Sequence, residues 1–343
     1  MSNVLIIATS RKTRGGITSV IKAHEQGEHW KKYHCKWLEA HIDTTSIAKI
    51  IYFFRALLTC ILIMPFYDIV HIHHAGIRRK FVFFLLAKLY RRKVIAHLHA
   101  CDPDTTINGK DKWMYKFMFS HSAKVIVLSE EWKQMVKDFL DVSENVVVLY
   151  NPCPDVKSIP YEQHQNYILY AGTLSKRKGY NLLIEAFSRI ADKYPSWNIK
   201  FAGNGEIEEG RVLIKELELT DRVAFLGWVS GSEKEALFQK AGCFCLPSYA
   251  EGFPMGVLDA WAYGVPVITT PVGGIPDIAQ EGRNILLFPA GDVNALSKAL
   301  DSFLENKTLR MLLSKESFLL SETILNNKKI CMEVGNIYKS VSK

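Results

Sequence analysis

The stretch Leu246-Pro-Ser-Tyr-Ala-Glu251-Gly252-Phe253-Pro254-Met-Gly-Val-Leu-Asp259-Ala-Trp-Ala-Tyr-Gly264-Val-Pro-Val-Ile268 decides how this chain is read. The apolar run that ends at Leu246 has the length of a buried strand. A short loop then carries Glu251 and Gly252. Pro254 suits the first turn of a helix, where no N–H partner is required. Gly264 suits its C-terminal stop, so the spacing predicts a helix to about Tyr263. Glu251 then lies ahead of the helix and Asp259 about one turn inside it. Both acids can point at one polyhydroxylated ligand. A carboxylate accepts two hydroxyl hydrogen bonds at once, which suits sugar and ribose recognition. The structural alternative is an acid that only caps a helix.

Working outward, short apolar runs alternate with longer helix-period segments, the signal of parallel α/β layers. Expected strands in the first half are Val4–Ala8, Ile69–Ile72, Val94–Leu98, Val125–Leu128 and Val146–Leu149. Those in the second half are Tyr167–Tyr170, Asn198–Phe201, Val223–Phe225, Cys243–Leu246 and Val267–Thr269. Asn151–Asn166, with Pro152, Pro154 and Pro160, reads as a linker. The halves echo each other. Val4–Ala8 leads into Arg11-Lys12-Thr13-Arg14, then Gly15-Gly16 and a helix from Ile17. Ile168–Ala171 leads into Gly172, then Lys176-Arg177-Lys178-Gly179 and a helix from Asn181. Two doubly wound domains are expected to face each other across a cleft that holds the ligand.

The basic turn before Asn181 sits where a helix N-terminus supplies free N–H groups and partial positive charge. Arg177 and Lys178 add formal cations, which makes a cradle for a diphosphate; the alternative is a solvated basic loop. The turn at Arg11–Arg14 is a weaker copy, although a glycine pair opening a helix usually has a backbone reason. Gly203-Asn204-Gly205 begins a GxG, but Glu208 stands where a dinucleotide fingerprint needs its third glycine. A nicotinamide or flavin site therefore has little support.

The 343 residues are 48% hydrophobic and 23% charged, enough for about two domains with large cores. The net charge of +8 leans toward an anionic partner. Seven cysteines form no CxxC pair and no zinc spacing, which fits reduced thiols in a cytosolic chain. Val4–Ala8 is too short for a secretory signal. Ile47–Met64, broken by Lys49 and Arg55, is read as falling short of a clean membrane span.

The Glu251 segment resembles the Glu-x7-Glu signature of the retaining glycosyltransferases of family 4, which have the two-domain GT-B fold. Tyr170–Gly179 with Leu182–Phe187 is similar to that family's phosphate loop and helix. Phe201–Gly205, Val223–Gly227 and Val272–Asp277 follow in the family's order, so the resemblance covers essentially all of residues 165–300. It is looser at Gly15-Gly16, Asp68–His73 and Val125–Ser129. The resemblance implies that Glu251 contacts the donor sugar and that Asp259 contacts the donor ribose. It also implies that Gly252, Phe253 and Pro254 offer backbone to the donor, and that Gly172, Arg177 and Lys178 meet its diphosphate. Two positions depart from the pattern. Asp259 replaces a Glu, and Thr173 stands where the family usually has an Arg, a charge that Arg177 partly supplies.

His99 ends Val94-Ile-Ala-His97-Leu-His99, and His73 ends a similar run. A histidine at a strand end is more often structural. The family often has one at the His99 position beside the donor sugar, so His99 joins Glu251 and Lys178 as a catalytic candidate, with His73 below it. His71 and His97 are expected to serve the sheet. The leaving diphosphate gains negative charge, which cations and helix amides can meet without a metal. Neither metal nor cofactor is expected. Asp102-Pro-Asp104 is the one DxD-like pair and reads as a polar turn.

The expected domains are 1–157 (acceptor side), 165–320 (nucleotide-sugar side) and a helix over 321–343 that returns to the first domain. The expected activity is a retaining glycosyltransferase, of hexosyltransferase type, in capsule, exopolysaccharide or lipopolysaccharide assembly. Its partners are a nucleotide-sugar donor and a saccharide or lipid-linked acceptor. Arg78-Arg79-Lys80 and Arg91-Arg92-Lys93 beside apolar helices add contact with an anionic membrane surface, and hence a cytoplasmic protein peripheral on the inner face of the plasma membrane. The alternative enzyme is a nucleotide-sugar epimerase of the same fold, for which no clear acid–base pair is present. Nucleic acid is not an expected partner, because the cations sit at turns and helix ends instead of forming a stripe with stacking aromatics.

Overall fold

The computed structural model describes residues 2–99 and 109–342. Asp102 and Asp104 lie outside the described residues. The first half contains β1 (Val4–Thr9), α1 (Gly16–Glu25), α2 (Glu28–Lys32), β2 (Lys36–His41), α3 (Ser46–Ile63) and β3 (Ile69–His74). It continues with α4 (Arg78–Leu89), β4 (Lys93–Leu98), α5 (Lys112–Ser120), β5 (Lys124–Val127), α6 (Glu130–Leu140) and β6 (Val146–Val148). The second half begins with β7 (Gln165–Ala171), α7 (Tyr180–Ser188), β8 (Asn198–Ala202), α8 (Ile207–Glu216), β9 (Val223–Gly227) and α9 (Gly231–Lys240). There follow β10 (Ala241–Leu246), α10 (Met255–Ala262), β11 (Val267–Thr269), β12 (Leu286–Leu287), α11 (Val293–Glu305), α12 (Lys307–Thr323) and α13 (Asn327–Ser342).

The chain forms two compact units, Met1–Pro152 with Asn327–Lys343, and Cys153–Asn326. Each holds one parallel six-stranded sheet, ordered β2-β1-β3-β4-β5-β6 in the first and β12-β11-β10-β7-β8-β9 in the second. Strands such as β1, with Val4, Leu5, Ile6, Ile7 and Ala8 all buried, are covered on both faces, as parallel sheets require. Helices flank them because their apolar residues recur at three-to-four spacing; in α6 these are Trp132, Met135, Val136 and Leu140. Side-chain caps fix several helix starts: Thr45 for α3, Ser129 for α6, Asp292 for α11 and Asn306 for α12.

Two strands escape a search for apolar runs. β2 carries Lys36 and Glu39 inside Lys36–His41, and it sits at a sheet edge beside β1. β12 has two residues. The last helix, α13, buries Ile330, Val334, Tyr338 and Val341 against the first unit's core of Val4, Ile6, Ile69 and Ile95. Chain reversal places the switch point of the second sheet between β7 and β10, and of the first between β1 and β3. Ligands of open α/β sheets bind outside the carboxyl ends of the strands at such points.

Candidate functional site

In the second unit, the loop after β7 and the loop after β10 leave adjacent strands at the switch point, and hydrogen bonds join them. The Tyr249 N–H donates to the Arg177 carbonyl at 2.9 Å, and the Arg177 guanidinium donates to the Ala250 carbonyl at 2.5 Å. Lys176–Lys178 form a single 3-10 turn that ends at Gly179, with φ +68°, and α7 starts at once. A Cβ at Gly179 would lie 2.1 Å from the Pro247 carbonyl oxygen, so only glycine lets the two loops approach this closely. The Tyr170 hydroxyl donates to the Thr173 carbonyl at 2.9 Å and fixes the start of the turn.

This stitching brings Lys178 to Glu251. The Lys178 Nζ lies 2.7 Å from Glu251 Oε1, and the Ser248 hydroxyl donates to the same oxygen at 2.9 Å. Their side chains are only 19% and 11% exposed, so this is not a freely solvated surface bridge. The loop after β11 supports Glu251 from behind. Gly273 has φ +61°, and a Cβ there would meet the Glu251 carbonyl oxygen at 2.4 Å. The Gly274 N–H donates to the Gly252 carbonyl at 2.7 Å. Gly172 lies against the Lys178 side chain; a Cβ there would sit 3.6 Å from its Cδ. Phe253 is buried, and Pro254 immediately precedes α10.

Asp259 sits one turn into α10 and is held separately. Lys234 Nζ, from α9, lies 2.5 Å from its Oδ2. Burial pushes the Asp259 carboxyl up from its ordinary value, and Lys234 opposes the shift. Sequence reading missed Lys234. Its only signal is a cation on a polar helix, which most surface helices share. The two acids of the site are therefore each paired with a lysine, Glu251 with Lys178 and Asp259 with Lys234.

Gly15, Gly16 and His99 belong to the first unit. Gly15 precedes α1 with φ +143°, and both glycines are exposed. Arg11 in the turn before them donates to Glu25 and stacks on Trp37 at 4.4 Å, so its charge is spent inside the unit. His99 follows β4, and its Nε2 shares a hydrogen bond of 2.7 Å with Nδ1 of His73. Burial pushes the His99 imidazole down to about 3, so it is neutral at physiological pH. Beneath them, His71 Nδ1 bonds the Tyr338 hydroxyl at 2.8 Å, and both ring nitrogens of His97 have no hydrogen-bond partner. His71, His73 and His97 bring ring nitrogens within 4.8 Å of one another, a spacing that could hold a metal ion. Among the described residues, the rings in contact with them are histidines and Tyr338, which offer no counter-charge to a buried divalent ion.

Two doubly wound parallel sheets, one with a basic turn at its switch point, define the class of GT-B glycosyltransferases. Comparison with known proteins agrees. Residues 155–318 match the family described as glycosyl transferases group 1, and residues 45–155 match glycosyltransferase family 4. The chain belongs to this group 1, family 4 type of glycosyltransferase. An uncharacterized glycosyltransferase of Haemophilus influenzae is 29% identical over 204 residues, covering 58% of this chain and 56% of the relative. The putative colanic acid biosynthesis glycosyltransferase WcaL of Escherichia coli is 30% identical over 143 residues, 40% of this chain and 35% of WcaL. These matches thus span about half or less of each relative. The solved structure of Anabaena HepE in complex with UDP and glucose superposes with a TM-score of 0.81 at 16% identity, covering 99% of this chain and 100% of HepE.

Proposed function

We propose that this glycosyltransferase moves a hexosyl unit, with retention, from a nucleotide-diphosphate sugar to a saccharide or lipid-linked acceptor in envelope polysaccharide assembly. The observation that carries the reading is the Lys178–Glu251 pair at the β7/β10 switch point, where a cation and a carboxylate stand side by side. In this reading the donor separates them in function. Lys178, with Arg177 and the amides opening α7, meets the diphosphate; Glu251 accepts hydrogen bonds from sugar hydroxyls. Asp259, one methylene shorter than the family's Glu, contacts the ribose and leaves Lys234 to do so.

As the anomeric C–O bond breaks, its electron pair passes to the leaving diphosphate. Lys178 and the helix start stabilise that charge electrostatically, and no metal is needed. The acceptor hydroxyl attacks the same face of the sugar and passes its proton to the departing diphosphate oxygen, so Glu251 is not a covalent nucleophile. His99, oriented by His73, is the residue of the first unit we assign to the transfer. Gly15 and Gly16 offer backbone to the donor, as do Gly172, Gly252, Phe253 and Pro254. UDP in the structurally similar HepE supports a uridine donor as the first to try. The colanic acid assignment of WcaL supports polysaccharide assembly, and a nucleotide-sugar donor supports the cytoplasm.

The test is a thermal-shift panel of nucleotide sugars followed by turnover, because a matching donor stabilises the folded state by mass action. We expect one donor to raise Tm, and Lys178→Ala and Glu251→Ala each to lower turnover about 10²–10³-fold, the scale of losing one transition-state charge partner. Both variants should remain folded at the assay temperature but melt below wild type, because each leaves one partner of a largely buried ion pair uncompensated. Wild-type rates in both would remove the assignment, and isomerised donor without transfer would mark an epimerase.

A further inference from the structure

Helix α3 is apolar along its whole length, yet only one stripe of it is used inside the protein. Ala56 and Cys60, with Met64 beyond the helix end, are buried at four-residue spacing. The opposite stripe, Ile47, Ile51, Phe54, Leu58 and Leu62, is 56–72% exposed and recurs at three-to-four spacing. A scattered exposed leucine needs no explanation, but a continuous apolar stripe does. The neighbouring helices extend it. The Phe53 ring lies 5.7 Å from Phe83 of α4, and Tyr90 donates to the Ile61 carbonyl at 3.1 Å. Phe81 of α4 lies 5.5 Å from Trp113 of α5. Outward from these contacts α4 exposes Leu85 and Leu89, and α5 exposes Trp113 and Phe117.

The three helices themselves carry charge of one sign, and the flanking acids Asp43 and Asp111 pair with Lys49 and Arg78. α3, α4 and α5 contain no Asp or Glu, while Arg55, Arg79, Lys88 and Lys116 are exposed on them. A soluble protein partner would be expected to meet mixed polarity at the rim. Long basic side chains around aliphatic residues and a tryptophan fit acyl chains below and anionic headgroups above. The stretch Ser46–Phe66, 21 residues with mean hydropathy 2.1, is long and apolar enough to cross a membrane, which corrects the expectation of a run too short for that. Its packing argues for lying flat. Ala56, Cys60 and Met64 hold its C-terminal half against the first unit and Phe53 contacts Phe83, so the helix lies along the protein surface instead of projecting from it.

We propose that the α3–α4–α5 face of the first unit is a monotopic docking surface for an anionic lipid leaflet, and that it presents the enzyme to a lipid-linked acceptor. The docking stands on the first unit alone; only its purpose rests on the transfer reading above.

The test is co-sedimentation of the full chain with vesicles of phosphatidylcholine alone and with vesicles of equal phosphatidylcholine and phosphatidylglycerol. We expect binding to the mixed vesicles that weakens with added salt, and much less binding to phosphatidylcholine. Leu58→Glu with Leu62→Glu, both at exposed positions, should lower the partition constant at least about tenfold. The melting profile and donor hydrolysis in solution should not change. A wild-type chain that stays in the supernatant, or a variant that binds equally, overturns the proposal. So does a lipid-free dimer that the double variant dissolves, which would make this a protein interface, or release only by detergent, which would make α3 a span. Vesicle binding with no donor turnover would leave the docking intact and remove the transfer reading instead.

Discussion

Five histidines of the first unit, His24, His71, His73, His74 and His97, are fully enclosed, and burial drives each imidazole below its ordinary value of 6.5. For His24 and His74 the fall is to about 3. Native imidazoles that stay neutral while unfolded ones take protons make the unfolded chain bind more protons below pH 6.5. Stability is therefore full above that value and is lost as pH falls toward the native values. Between pH 7 and pH 5 one such histidine costs about 2 kcal/mol. His24 and His74 together reach about 4 kcal/mol, a large share of the stability of an ordinary domain, and His71, His73 and His97 act in the same direction. The rings also neighbour one another, so a proton on one opposes a proton on the next. We expect the first unit to open between pH 6.5 and 5. Hydrogen exchange of peptides from β3 and β4, read by mass spectrometry at fixed temperature, should show protection lost in that window. His74→Phe, placed between Tyr115 and Phe119, should make the loss shallower by about 1.4 kcal/mol per pH unit. Equal protection at pH 7 and pH 5 would refute the reasoning.

Three further outcomes are expected. Lys80 is buried on α4, its amine lacks a hydrogen-bond partner, and burial lowers it to about 7. Lys80→Met, which keeps the apolar stem, should raise Tm at neutral pH, with a smaller gain at pH 9, where taking the proton from the unfolded amine costs less. Gly179→Ala should cost at least about 1–3 kcal/mol, because it forces a side chain into positive φ and onto Pro247; a chemical denaturation midpoint at the wild-type value would count against the loop geometry. Lys234→Ala leaves the buried Asp259 carboxylate without its cation. Its Asp259 should titrate higher by NMR, and donor KM, not kcat, should carry the kinetic change if Asp259 holds the ribose.

Ten of the strands were legible because a strand buried on both faces must be a short, nearly unbroken apolar run. β2 was not, since at the sheet edge Lys36 is exposed and the half-buried Glu39 accepts a hydrogen bond from the Ser10 hydroxyl, which breaks the apolar run. The loop positions of Lys178 and Glu251 could be read from strand–turn–helix order. Their contact could not, because it depends on Gly179 and Gly273 permitting approaches that a spacing argument never sees. Lys234 was invisible for a different reason: it meets Asp259 across 25 residues of chain, through two elements whose packing only the folded sheet defines. The exposed stripe of α3 was hidden as well. Apolar composition states how much a helix has to bury, and only the packing of Ala56 and Cys60 shows which side remains uncovered.

One of the two departures from the family pattern, Thr173, acquires a physical reading in the second unit. Where an Arg would stand, Thr173 gives its carbonyl to Tyr170, so that position serves the turn and carries no charge. Arg177 keeps its charge, because a neutral carbonyl uses only part of its donor set, but its guanidinium is drawn toward the Ala250 carbonyl beside Glu251. In the proposed reading it therefore assists at the diphosphate end, and the charge there falls chiefly on Lys178. That concentration has a cost. In the proposed transfer Lys178 both neutralises Glu251 before substrate arrives and stabilises the leaving group afterwards. The amides opening α7 then carry a larger share than in a loop with two free cations. Substituting Thr173 by Arg should therefore lower donor KM in wild type and partly restore turnover in Lys178→Ala. If Thr173→Arg changes neither, charge is not what limits this site, and the preference for Lys178 as its central cation is wrong.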